Sequence, residues 1–269
     1  MLTSSGARQL ALLFLVLPLS MYSLSSNAAI NAQLLHVDSA TVIEEASVIG
    51  DAYALNSNNL LYTEFHSFSA EGDQHRVSYR TPNDQPLADK IIVYQQNLAA
   101  PEFHQQNHHT QTEISVNWQD DALRIRSMPD GFDKLINPAF DLPIVIDAGF
   151  NMFIRQHWDA LVNGETKVFN FAFAKRGSMI HMRISRTACD QLAANGSREN
   201  SSEGGNGRNS NTDNICLVLQ PDNWIFKMLA PPTKLTYRTD KILLRYRGLS
   251  NIDTPTGDNQ LVDIRYRLP

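Results

Sequence analysis

Lys167-Val-Phe-Asn-Phe-Ala-Phe-Ala-Lys-Arg-Gly-Ser-Met-Ile-His-Met-Arg-Ile-Ser185 alternates with period two. In an extended chain successive side chains point to opposite faces, so Phe169, Phe171 and Phe173 form an aromatic row on one strand face. Ile180, Met182 and Ile184 do the same on the next strand. The same alternation recurs outward in both directions. Leu60 to Phe68 and Arg76 to Arg80 flank the turn residues Glu71-Gly72-Asp73, and Thr81-Pro-Asn-Asp is a second turn before a strand at Leu87 to Tyr94. Ile114, Val116 and Trp118 lead through Gln119-Asp120-Asp121 to Leu123 and Ile125. Leu235 and Tyr237, then Ile242, Leu244 and Tyr246, flank a turn at Thr239-Asp240, and Val262, Ile264 and Tyr266 close the chain. Strands joined as sequential hairpins favour an antiparallel architecture.

One stretch breaks the alternation. Between Asp147 and Asn163 the apolar face is Phe150, Phe153, Ile154, His157, Trp158 and Leu161, spaced as a single helical stripe. Asp147 reads as its N-cap and Gly164 as its stop. So bulky a face needs a concave apolar partner. The expected fold is therefore mainly β: a strongly curved antiparallel sheet, or incomplete barrel, wrapped around one amphipathic helix. A shorter helical turn is expected at Trp224 to Leu229, and residues 29–46 give only a weak helical signal.

The chain has 269 residues, with 23 Lys and Arg against 28 Asp and Glu, and is 42% hydrophobic. That composition excludes a disordered, collagenous or multi-spanning membrane chain, and its mild acidity gives no reason to expect nucleic acid. Residues 1–28 read as a secretory signal: Arg8, an apolar core from Leu10 to Leu19, and the small residues Ser26-Asn27-Ala28 before cleavage. Residues 29–269 are then expected to be a single exported, periplasmic domain with no membrane span. Cys189 and Cys216 are the two cysteines, and an exported chain with two suggests one disulfide. The polar segment between them, about 190–214, reads as a disordered insertion at the tip of a hairpin.

The sequence holds no Gly-x-Ser-x-Gly, His-Glu-x-x-His or phosphate-loop motif. His104, His108 and His109, with Glu102 and Glu113 nearby, have a spacing that zinc would accept, but their Gln- and Asn-rich segment reads as a solvated loop. No metal or cofactor is expected. Glu64 and His66 share one side of a strand and read as a surface contact. His157, beside Trp158 on the apolar stripe, is either a satisfied core histidine or a polar group poised in a cleft. Arginines make the strongest pattern. Arg245 and Arg247 flank Tyr246, Arg265 and Arg267 flank Tyr266, Arg124 and Arg126 flank Ile125, and Arg183 lies opposite Met182. On one sheet they would form a stripe able to grip phosphate or carboxylate, or an ordinary wet face paired to acids such as Asp263.

The stretch from Lys234 to Ile252, with Tyr246-Arg-Gly-Leu-Ser-Asn-Ile252 at its end, resembles a group of uncharacterised exported proteins of Gram-negative bacteria. Leu61-Tyr-Thr-Glu-Phe-His66, Ile146-Asp-Ala-Gly-Phe150 with the helix through Trp158, and Asn223-Trp224 carry the same resemblance. It implies export and a β-rich fold, carries no activity, and makes the polar tip an insertion. The reading that follows is a non-catalytic periplasmic module that binds or carries an amphiphilic or anionic envelope component, such as a lipid or anionic glycan. The alternatives are a hydrolase with a site near His157 and a structural or interaction protein of the envelope.

Overall fold

The structure, a computed structural model, describes residues 46–95, 97–129, 131–189, 214–223 and 231–269. The expected signal at 1–28, the weak signal at 29–46 up to residue 45, the polar tip from 190 to 213 and the helical turn at Trp224–Leu229 lie outside the described residues.

The first eight strands form an up-and-down meander: β1 (Val48–Ala54), β2 (Leu60–Phe68), β3 (Gln74–Arg80), β4 (Pro86–Val93), β5 (Glu102–Asn107), β6 (Thr112–Gln119), β7 (Ala122–Met128) and β8 (Phe132–Ile136). Each pairs antiparallel with its predecessor. Left-handed backbone at Gly72 (φ 72°) and at Asp84 and Asp120 serves the tight turns, where glycine and aspartate tolerate positive φ. β9 (Ile144–Ile146) leads to α1 (Gly149–Gln156) and α2 (Trp158–Val162). A second meander follows: β10 (Lys167–Phe173), β11 (Ser178–Thr187), β12 (Ile215–Pro221), β13 (Thr233–Tyr237), β14 (Leu243–Leu249) and β15 (Leu261–Arg267).

β15 pairs antiparallel with β1, so the two meanders become one sheet in the order β8-β7-β6-β5-β4-β3-β2-β1-β15-β14-β13-β12-β11-β10-β9. Among the described strands only β9 and β10 run parallel. The sheet is open, with β8 and β9 at its edges. Its curvature nevertheless brings the β10–β11 turn, Ala174–Arg176, against β6 and β7. The rows read from the opening stretch meet as cross-strand pairs: Phe169 faces Met182 and Phe171 faces Ile180. The mainly β, strongly curved, unclosed sheet expected from the alternation is what forms.

The helix differs in detail. It is broken at His157 (φ −103°, ψ 17°) into α1 and α2. Phe153, Ile154, Trp158 and Leu161 are buried with Phe169, Ile184, Leu217, Leu235 and Tyr237, so the stripe does pack on the second meander. Asp147 is not its N-cap. Ala148 holds that position without a side-chain cap, and Asp147, at φ 45°, gives its carboxylate to Lys90 instead. The reason is electrostatic: Lys90 is buried, and a buried ammonium demands a counter-charge more than a helix end demands a cap. Gly149 starts the helix because a Cβ there would lie 2.1 Å from the Ala99 carbonyl oxygen.

Of the segment Phe103–His109, expected as a loop, residues 103–107 belong to strand β5 and His108 and His109 to the turn after it. Phe103, Gln105 and Asn107 are the strand's buried side, and the amides satisfy each other: Gln105 Nε2 donates to Asn107 Oδ1 (2.8 Å) and Asn107 Nδ2 to Thr112 Oγ1 (3.0 Å). Partnered amides let a polar sequence occupy an inward face.

Cys189 and Cys216 form the expected disulfide, with Cα atoms 5.2 Å apart, beside the Thr187–Cys216 pair of β11 and β12. It closes a span of 27 residues. Replacing both cysteines by serine is expected to lower the unfolding free energy by about 3.5 kcal/mol on the loop-entropy account. A urea titration showing no shift in midpoint would refute this.

Candidate functional site

The inner face of the sheet lines a cavity of about 1080 Å³, just above the usual size of small-molecule sites. Its two walls differ in chemistry. Phe171, Phe173, Ile180, Met182 and Leu219 of the second meander, with Phe150 and Met152 of α1, make an apolar wall. The other side, on β2 to β5, carries Glu64, His66, His75, Tyr79, Lys90 and Gln105 among Phe68, Val77, Ile92 and Phe103.

Strand register builds the polar wall. Tyr266, Gly50, Glu64 and Tyr79 are one cross-strand row; Val48, His66, Val77, Lys90 and Gln105 are the next; Phe68, His75, Ile92 and Phe103 are the third. Gly50 stands between Tyr266 and Glu64, and a Cβ there would lie 2.7 Å from the tyrosine ring. The missing side chain lets Tyr266 lie across β1 and donate its hydroxyl to Glu64 Oε2 at 3.2 Å. His66 Nε2 meets the same oxygen at 3.1 Å, and His66 Nδ1 meets His75 Nε2 at 2.9 Å. Phe68 stacks on His75 with ring centroids 4.3 Å apart. The result is a line of hydrogen bonds, Tyr266–Glu64–His66–His75, ending at a His75 Nδ1 that is buried and has no hydrogen-bond partner among the described residues.

Around Glu64 the other tyrosine hydroxyls are committed elsewhere. Tyr62 bonds Ser250 Oγ (2.8 Å), Tyr246 donates to the Leu249 carbonyl (2.8 Å), and Tyr79 bonds Asn251. Burial, followed by the negative charge of Glu64, holds the Tyr62, Tyr79 and Tyr266 hydroxyls well above the usual phenol range, so they stay protonated donors. The buried Lys90 ammonium is 2.5 Å from Asp147 Oδ2 and lies over the Phe103 ring, 5.0 Å from its centroid. Lys175 meets Asp253 at 2.5 Å; burial lowers its pKa and that carboxylate offsets part of the shift.

The arginines expected as a stripe do not form one band; Arg267 is among the cavity-lining residues and the other six are not. Arg245 grips Asp263 with two hydrogen bonds (2.5 and 2.6 Å), Arg265 reaches the same carboxylate (3.2 Å), and Arg267 reaches Asp51 (3.3 Å). Burial pushes the Asp263 carboxyl up, but Arg245 and Arg265 more than offset that and hold it below the usual range. Arg247 donates to Asn56 Oδ1 (2.8 Å). Arg124 and Arg126 both reach Asp133 of β8, and Arg183 reaches Asp222 at 3.6 Å. The strand order sets β6 to β1 between β7 and β15, and β13 and β12 between β14 and β11, so these are three groups, each with its own acidic partners.

His157 is half-buried against Phe153 (4.5 Å between ring centroids) and is not among the cavity-lining residues. Burial and the neighbouring Lys167 lower its pKa. Trp158 is core, edge-on to Tyr237. His104, His108 and His109 diverge to Glu113, Asp89 and the carbonyls of Leu87 and Asp253, and no metal-ligand cluster occurs among the described residues. Glu64 and His66, read as a surface contact, are instead inside the cavity. Their neighbours His75, Lys90, Tyr79 and Tyr266 went unnoticed as site residues. The available signal was that Tyr246 and Tyr266 point away from the arginines flanking them and so toward the interior.

Burial, with the charges of His66 and Lys90 adding to it, lowers the His75 pKa from 6.5 to about 3. Between those values the unfolded chain binds the proton that the folded one refuses. Stability from this group is complete above about pH 6.5 and is lost as pH falls toward about 3. His75→Gln should therefore flatten the fall in melting temperature between about pH 7 and about pH 4; identical profiles for the two proteins would contradict the assignment.

No family model matches the chain, and no curated protein matches it. Among solved structures it is similar to a beta-barrel-like protein of domain of unknown function DUF1849 from Brucella abortus, at 7% identity over 82% of this chain and 94% of that one, with a TM-score of 0.37.

Proposed function

We propose that this chain is a non-catalytic binding module, exported to the periplasm, that holds one amphiphilic envelope component in the cavity of its curved sheet. The observation that carries the reading is the division of one cavity into an apolar wall on β10 to β12 and α1 and a hydrogen-bonding wall on β2 to β5. An acyl-type chain would remove apolar surface from water along the first, at roughly 25 cal/mol per Å². Its polar end would meet preformed partners on the second. The disulfide supports an oxidising compartment, and no helix among the described residues is long and apolar enough to cross a membrane.

The delipidated protein should bind an alkyl-chain fluorophore saturably. Ile180→Lys, which sets a charge in the apolar wall, should weaken binding by at least about tenfold while the protein still unfolds cooperatively. Arg265→Glu, on the outer face, should leave it unchanged. Absence of saturable binding, or insensitivity to Ile180→Lys, would overturn the reading.

One observation favours the alternative of an interaction protein. β8 ends the sheet and exposes Leu135. An apolar edge strand is a template for pairing. On that reading Leu135→Glu abolishes concentration-dependent association in sedimentation experiments while leaving fluorophore binding intact; wild-type chains that stay monomeric at every concentration would remove it.

A further inference from the structure

We infer that the polar end of the bound amphiphile is a hydrogen-bond donor of the alkylamine class, seated on the free carboxylate oxygen of Glu64. This rests on the binding reading above and deepens it by naming the head group.

Glu64 is 5% exposed and lines the cavity. Its hydrogen bonds, from Tyr266 and with His66, both fall on Oε2, and Oε1 has no hydrogen-bond partner among the described residues. No lysine or arginine pairs with it among those residues. The cavity's other carboxylate, Asp147, is matched, and so are four of the lining cations. Asp147 holds Lys90, Asp253 holds Lys175, Asp240 holds Arg238 and Asp51 holds Arg267. Arg155 and Arg176 are exposed; the first donates to the Lys241 carbonyl (3.4 Å) and the second lies over the Phe173 ring. Glu64 is thus the lining carboxylate that lacks a cationic side chain.

With the Tyr266 and His66 donors already given to Glu64, what the groups beside it have left to offer is an acceptor. When His66 Nε2–H donates to the carboxylate, His66 Nδ1 accepts from His75 Nε2–H, which leaves His75 Nδ1 as a lone pair. The hydroxyls of Tyr62, Tyr79, Tyr246 and Tyr266 are already committed. An ammonium brings three donors and no acceptor, and supplies the missing positive charge. A carboxylate or phosphate head would bring acceptors only, and a like charge beside Glu64.

Dodecylamine, dodecanol and dodecanoate share one chain and differ in the head. Each is used to displace the alkyl fluorophore from the full chain lacking only residues 1–28, at neutral pH. The amine should bind at least about tenfold tighter than the carboxylate, the size of one charge-assisted hydrogen bond, with the alcohol between. Glu64→Gln should abolish the amine preference, whereas Arg265→Glu, on the outer face, should retain it. Dodecanoate binding as tightly as the amine, or a preference that survives Glu64→Gln, overturns the inference. Should Glu64→Gln fail to fold, the wild-type ranking decides alone. Three probes that bind alike leave the binding module standing and remove the head-group assignment; three that do not displace the fluorophore remove both.

Discussion

Everything in this molecule depends on the pairing of its first described strand with its last. β1 and β15 join two meanders that would otherwise each end in an open edge, and the joint row Tyr266–Gly50–Glu64 sits at the seam. Glycine is the only residue that leaves room for the Tyr266 ring there. A larger side chain at position 50 would push the ring off β1 and break its bond to Glu64. The strand joint and the polar wall therefore share one steric requirement, and the site is built into the joint between the meanders.

The two meanders divide the work of the cavity. The second buries its inner residues with the helices, in a cluster running from Phe153 to Tyr237, and gives shape and apolar surface. The first tolerates an unusual set of buried polar residues, Glu64, His75, Lys90, Gln105 and Asn107, because almost every one of them is answered by a partner. Lys90 is the link between the halves. Its ion pair with Asp147 ties the segment before α1 to β4, so the helix that borders the apolar wall is anchored on the polar one. Breaking such a pair from one side leaves a buried charge unmatched, a cost of about 3–5 kcal/mol.

Most of the architecture was legible in the chain. Period-two alternation at Leu60–Phe68, Phe169–Phe173 and Ile180–Ile184 requires strands whatever their partners, because one apolar face must be buried. The apolar stripe from Phe150 to Leu161 likewise required a concave surface. Reading failed where the inward side was polar. Phe103, Gln105 and Asn107 look like loop residues until Thr112 and each other are seen as their partners. Glu64 and His66 were noticed as a pair on one side of a strand, but which side that was could not be inferred from two polar residues.

The amino-acid order alone determined which segments are strands, where the helical stripe lies and which cysteines can pair, since each of these is a property of local spacing. Only the folded sheet decided that Tyr266, Glu64 and His75 meet, that Asp147 serves Lys90 rather than the helix, and that the arginines separate into groups with their own aspartates. Those outcomes depend on strand order and register, which bring together residues as distant as Glu64 and Tyr266. Cross-strand neighbours are set by how the strands assemble, a long-range packing solution that no local pattern encodes.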